Sequence, residues 1–143
     1  MKIKRLDSGD DYIQYLQLLS QLTKVDIDAL SQEMYLERLQ QISSNPLHNI
    51  YVLHIDDVIV ATITVLIEPK FIRNLGSVAH IEDVVILEEY RSKGLGKLMV
   101  QYAIDVAKEK GCYKVILDCS NHNNGFYHKL GFEEKGSQMA IYF

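Results

Sequence analysis

Residues 80–101 read HIEDVVILEEYRSKGLGKLMVQ, and a change of rhythm inside them decides the fold. The first part is apolar and β-branched, as a buried strand requires. The chain then turns through Gly94 and Gly96. After the turn Leu98, Tyr102 and Val106 recur at helical spacing, with Leu95, Met99, Ala103 and Ala107 beside them. The first amides of a helix have no intrahelical partner and carry the positive end of its dipole, so a turn feeding them suits a phosphate group. Glycine helps there because a Cβ would block both the backbone angles and the close approach. Arg91, Lys93 and Lys97 add positive charge around the turn.

Two phosphate motifs are excluded by single positions. A GxxxxGK[ST] loop fails because Leu98 follows Gly96-Lys97 and no glycine stands five positions before Gly96. A dinucleotide GxGxxG fails because position 99 is Met99. What remains is Arg91-x-x-Gly94-x-Gly96 between a strand and a helix.

Outward from this stretch the pattern stays mixed. Downstream, YKVILDC reads as a strand, Asn123 to Leu130 as a short helix closed by Gly131, and Phe132 to Phe143 as a final strand. Upstream, SVAHIEDVVIL is one long strand, and IYVLHI and VIVATITVLI make a hairpin across Asp56-Asp57. Before them, Ser8 and Asp11 resemble a capping box for a helix whose Tyr12, Leu16, Leu19 and Leu22 share a face. A second helix after Ser31 turns Tyr35, Leu39 and Ile42 inward and stops before Pro46. Early helices, a hairpin, then strand–helix–strand–helix–strand predict an α/β (α+β) domain around one central sheet.

Length and composition fit one soluble domain spanning 1–143, with 48% apolar and 24% charged residues. No apolar run approaches about 18 residues, and MKIKRLDSGDDY lacks the apolar core of a signal peptide, so the cytoplasm is expected. A net charge of −4 argues against a general binder of nucleic acid or anionic membranes. Against that background the basic residues of EPKFIRN and YRSKGLGK suit a small anionic ligand. Cys112 and Cys119, seven apart in one strand, would lie about 23 Å from each other, too far for a disulfide. With neither CxxC nor a Cys/His cluster, no metal is predicted.

The turn Arg91-x-x-Gly94-x-Gly96 resembles the [QR]xxGx[GA] pyrophosphate loop of the GNAT superfamily of N-acetyltransferases. That likeness implies a mixed central sheet flanked by helices, with acetyl-CoA held between splayed parallel strands and no metal. Within the superfamily, GSVAHIEDVVI, GLGKLMV, GCYKVILDC, FYHKLGF and QMAIYF together resemble the glucosamine 6-phosphate N-acetyltransferases. The implied reaction moves the acetyl group of acetyl-CoA to the amine of glucosamine 6-phosphate, a step toward UDP-N-acetylglucosamine. No nucleic acid or membrane takes part.

The resemblance also implies roles. Ser92, Lys93, Gly94, Leu95, Gly96 and Lys97 would form the pyrophosphate loop, Val84 and Val85 would pair their backbone with the pantetheine arm, and Asn123 would lie near it. Glu82, Asp83 and Asp118 would meet the amino sugar. Lys70, Phe71, Ile72 and Arg73, in PKFIR, would meet its phosphate, and Thr23 would add a further contact. Tyr127 would stand at the thioester sulfur. Where the family carries a basic residue near its C-terminus, this chain has Tyr142, which can bond a phosphate but brings no cation. An intimate homodimer involving the terminal strands is implied as well.

Residue chemistry alone supports part of this. Glu82 and Asp83 interrupt a β-branched run and should alternate between faces, so one must be solvated, paired or facing ligand. Asp118 ends an apolar strand, where open sheets border their ligand crevice, although a helix cap is an equal reading. By residue type Tyr127 is more commonly a packing aromatic beside Phe126, and His80 reads as part of the strand. Asp118, with Glu82 acting through water, is the expected base, a backbone N–H near Val84 the oxyanion donor, and Tyr127 the acid. Two rivals stand beside this reading, an acetyltransferase for another amine and a non-catalytic acyl-CoA-binding module.

Overall fold

The computed structural model describes residues 1–143. Its elements are β1 (Lys2–Arg5), α1 (Tyr12–Leu19), α2 (Gln32–Ser43), β2 (His48–Ile55), β3 (Val58–Pro69), α3 (Ile72–Leu75), β4 (Ser77–Ile86), α4 (Leu95–Glu109), β5 (Lys114–Ile116) and α5 (Asn124–Lys129). The five strands form one sheet in the order β1-β2-β3-β4-β5. Every neighbouring pair is antiparallel except β4 and β5, which are joined through α4 and run parallel.

Local chemistry explains most boundaries. Asp56 and Asp57 both take left-handed backbone angles, φ 49° and 63°, as a two-residue hairpin turn that matches the twist of its strands requires. Ser31 caps α2 by accepting the Met34 N–H at 3.1 Å. At α1 the cap is Asp11 itself, whose carboxylate accepts the Ile13 and Gln14 N–H groups, not the expected Ser8. That helix stops at Leu19, so Leu22 lies beyond it and is exposed. Gly111, at φ 75°, follows the end of α4.

The sheet is covered on both sides. On one face α4 buries Leu95, Met99, Val100, Ala103, Val106 and Ala107 against Ala61, Ile63, Val65, Ala79 and Ile81. On the other, Tyr15 and Leu18 of α1 and Leu39 of α2 pack over Ile50, Val52, Ile59 and Val85.

Three expectations change. A strand that was not foreseen, β1, pairs Lys2–Arg5 with Tyr51–His54 at the sheet edge; KIKR is too short and too charged to announce itself. The strand read from YKVILDC is only Lys114–Ile116. The final strand expected over 132–143 does not form. With so short a β5 as the outermost strand, the tail has little ladder to join, and Met139, Ile141, Tyr142 and Phe143 stand in solvent.

Candidate active site

The site is built where β4 and β5 part. Their pairing covers only Val78↔Lys114, Ala79↔Val115 and His80↔Ile116, after which β4 runs on to Ile86 without β5. In the diverging part, β4 carries a bulge against β3. Thr64 pairs with Glu82 but Thr62 pairs with Val85, so Asp83 and Val84 together oppose Ile63, and Asp83 sits at φ 49°. The extra residue inverts the alternation beyond it. Ile81 belongs to the core under α4, whereas Val85, four residues on, belongs to the core under α1.

The bulge breaks the strict alternation from which Glu82 and Asp83 were expected to point to opposite faces. Ile81 and Val84, which flank them, both pack on the α4 side. The charge of Asp83 reaches Tyr15 of α1. Burial, then the charges of Asp83 and Asp118, hold the Glu82 carboxyl above its ordinary range, while His80 acts in the opposite sense.

Glu82 lines an open cavity of ≈ 860 Å³ beside β5, together with His80, Asp118, Cys119 and Tyr127. The three expected catalytic residues, from β4, the segment after β5 and α5, thus border one space. The Asp118 carboxylate accepts from Gln138 Nε2 at 3.2 Å. Tyr127 sits between the rings of Phe126 and Phe132, at 5.0 and 5.7 Å between centroids. Burial, and secondarily Cys119, raise the pKa of its hydroxyl, moving its titration further from the neutral range.

The glycine turn stands at the head of α4. Ser92 and Gly94 take positive φ, 61° and 81°. No side chain caps the helix, so its leading amides remain open to an anion. Arg91 points back: its Nε donates to the Ile86 carbonyl at 2.9 Å, fastening the loop to the end of β4. Gln21 of the segment after α1 accepts the Glu88 N–H at 2.8 Å and closes the same corner. Lys93 lies over the Tyr90 ring, 5.0 Å from its centroid. These features fit a pyrophosphate, with cations and free amides outside and a rigid turn beneath. A Cβ on Gly96 would meet Phe126 Cζ at 3.3 Å, so the loop and the helix carrying Tyr127 are in direct contact.

The remaining expected residues lie farther out. Lys70 to Leu75 form an arm between β3 and β4, exposed beyond Lys70, in which Arg73, Asn74 and Leu75 are left-handed; Arg73 lies over the Tyr113 ring at 5.2 Å, while Phe71 and Ile72 reach solvent. Thr23 follows α1, its N–H bonded to the Leu19 carbonyl. Asn123 Nδ2 donates to Ser120 Oγ at 3.3 Å just before α5. Tyr142 is exposed in the tail and does not reach the cavity. Two further residues line the cavity, His80, which was read only as part of the strand, and Asn124, which was not singled out. His80 shares its face with Glu82 by simple strand parity, a signal that was available, and Asn124 accepts a hydrogen bond from Cys119 Sγ at 3.2 Å.

A mixed sheet that splays at its one parallel pair, with an uncapped glycine turn feeding the connecting helix, is the architecture expected of the N-acetyltransferase class. The sequence profile of the Acetyltransferase (GNAT) family matches residues 15–132, and the chain belongs to that family. Glucosamine 6-phosphate N-acetyltransferase from Arabidopsis thaliana is 42% identical over 99% of this chain and 96% of its own length. Its crystal structure superposes with a TM-score of 0.93, covering 99% of this chain and 97% of that one. Glucosamine 6-phosphate N-acetyltransferase 1 from Dictyostelium discoideum is 37% identical over 99% of this chain and 90% of its own.

Proposed function

We propose that this chain, one domain throughout, transfers the acetyl group of acetyl-CoA to the amine of glucosamine 6-phosphate by direct attack in a ternary complex. The observation that carries the reading is the convergence of Glu82, Asp118 and Tyr127 on one cavity at the splay of β4 and β5. The relatives named above supply the acceptor.

Acetyl-CoA supplies the activated acyl group; the chain supplies position and protons. The open amides after Gly94, with Lys93 and Lys97, hold the pyrophosphate, and the β4 edge at Val84 and Val85 holds the pantetheine arm. Asp118 orients the amine and, with Glu82, takes its proton. A raised Glu82 pKa brings that group closer to the working pH of a base. A backbone N–H at Val84 stabilises the charge that grows on the thioester oxygen. Tyr127, protonated at neutral pH, gives a hydrogen bond or its proton to the departing sulfur. Lys70 and Arg73 receive the sugar phosphate from the arm.

The protein works as a cytoplasmic homodimer in this reading. Two free thiols suit a reducing compartment, and the exposed apolar tail from Met139 to Phe143 suits burial against a second copy. Thiol release from acetyl-CoA tests the assignment. Turnover with glucosamine 6-phosphate but not with glucosamine supports it; equal turnover of both removes the phosphate from the reading. Binding of acetyl-CoA with no turnover of either sugar leaves a cofactor site and a wrong acceptor.

A further inference from the structure

Lys70 is not free on its arm. Its Nζ lies 3.3 Å from Glu68 Oε1, and the same oxygen is 3.0 Å from His80 Nε2. Glu68 and His80 are diagonal neighbours across the β3–β4 ladder, where Leu66 faces His80 and Glu68 faces Val78. His80 in turn lines the cavity beside Glu82 and Asp118. One carboxylate therefore joins the exposed arm to the cavity wall.

We propose that Glu68 is a positioning residue for the anionic end of the acceptor, clamping the Lys70 ammonium and the His80 imidazole into one recognition unit at the mouth of the cavity. The inference rests on the acceptor reading above. The arm itself explains why a clamp is needed. Lys70 is fixed at its backbone by the bond from its N–H to the Gly76 carbonyl at 2.8 Å. Beyond it three left-handed residues lead the chain away from the sheet, and Phe71 and Ile72 give the side chain no wall to rest on. Without Glu68 a flexible four-carbon stem would sample solvent freely. An ammonium has three donors, so Lys70 can keep one on Glu68 and still offer two to a phosphate. Holding the pair before substrate arrives removes an ordering cost from binding.

The size of the effect is bounded by exposure. Glu68 is half-exposed, and solvent-exposed ion pairs are weak, changing an equilibrium by about fivefold at most. Steady-state kinetics of Glu68→Ala should show KM for glucosamine 6-phosphate raised about fivefold, with kcat and the KM for acetyl-CoA unchanged. In a Lys70→Met background the same substitution should be silent, because the cation it positions is gone. Glu68→Gln, which keeps the shape and an acceptor for His80, should fall between. An equal loss from Glu68→Ala with and without Lys70 overturns the clamp, as does an unchanged KM or a fall in kcat alone. A wild-type chain that turns over no phosphorylated sugar sinks the acceptor reading first and this proposal with it, so the two failures are distinct.

Discussion

Gly96 stands in direct contact with Phe126: a Cβ on the first would come within 3.3 Å of Cζ of the second. The contact ties the glycine turn to α5, which carries Tyr127. Gly94 differs, because nothing lies within 4 Å of its missing Cβ and only its φ of 81° asks for glycine. The two should therefore fail in different ways. Gly94→Ala should cost about 1 kcal/mol of stability through backbone strain and raise the KM for acetyl-CoA. Gly96→Val should push Phe126 aside and lower kcat together with cofactor affinity. Chemical denaturation and steady-state kinetics separate the two. If Gly96→Val leaves kcat intact, the contact does not transmit to Tyr127.

Tyr127, protonated at neutral pH like any tyrosine, has its pKa pushed further up by burial. Tyr127→Phe should retain the ring packing between Phe126 and Phe132 while removing the donor. The expected result is a fall of about 100-fold in kcat, the low end for a general acid, with both KM values and the melting temperature close to wild type. A wild-type kcat would assign the sulfur's proton to water.

The strand–turn–helix of residues 80–101 was readable because its period changes abruptly at Gly94, and the hairpin because Asp56-Asp57 can only be a turn between β-branched runs. The bulge was not readable. An alternation rule assigns Glu82 and Asp83 to opposite faces, and only the pairing of Thr62 with Val85, a contact made across the sheet, reveals the inserted residue. The tail was misread for a related reason. Its sequence has the composition of a strand, but a strand exists only where a partner offers a ladder, and partners are not local. For the site, the family resemblance raised Glu82, Asp118 and Tyr127 as candidates, and the fold gathers them at one cavity, whereas the link from Lys70 through Glu68 to His80 depends on diagonal neighbours in two strands.

Glu82 carries a raised pKa, first from burial and then from Asp83 and Asp118. A carboxylate raised in the folded state favours folding fully below its unfolded pKa, near 4.5, and loses that contribution as pH rises through the folded value. At neutral pH its charge is thus a burden on the fold. Glu82→Gln should raise the melting temperature at pH 7 while lowering kcat. Asp118→Asn removes one of the charges that raise Glu82, so the acid limb of kcat/KM should move to lower pH as the rate falls. Calorimetry and a pH–rate profile check both. A melting temperature lowered by Glu82→Gln would contradict the burden.

Tyr35 hides its hydroxyl against Tyr12 and Tyr15 without a hydrogen-bond partner, and its pKa is raised, chiefly by burial. Tyr15 is pushed up to about 12, again by burial, against the pull of its bond to Thr62. Both groups favour the folded state below the ordinary tyrosine range and lose that contribution as pH climbs through their folded values, so stability should fall above about pH 10. Tyr35→Phe removes an unsatisfied buried oxygen, and should leave stability at pH 7 equal or higher while flattening the alkaline decline. Urea midpoints at pH 7 and pH 11 measure both. A clear loss at pH 7 would mean that the hydroxyl has a partner.

The tail gives the last test. Met139, Ile141 and Phe143 are exposed apolar side chains at the end of a segment tied to the site by bonds from Gln138 to Asp118 and from Asn124 to Glu134. Burying each such side chain is worth about 1.5–3 kcal/mol, so six across a two-fold interface contribute on the order of 10 kcal/mol. Association costs about 4–15 kcal/mol, which makes a concentration-dependent dimer the expected state. Because Gln138 touches a candidate base, assembly and catalysis should be linked. Deleting residues 137–143 should give a monomer by sedimentation and lower kcat, while Gln138→Ala should lower kcat and leave the dimer intact. A wild-type chain that sediments as a monomer at high concentration removes the dimer, and full activity in the truncated chain removes the link to the site.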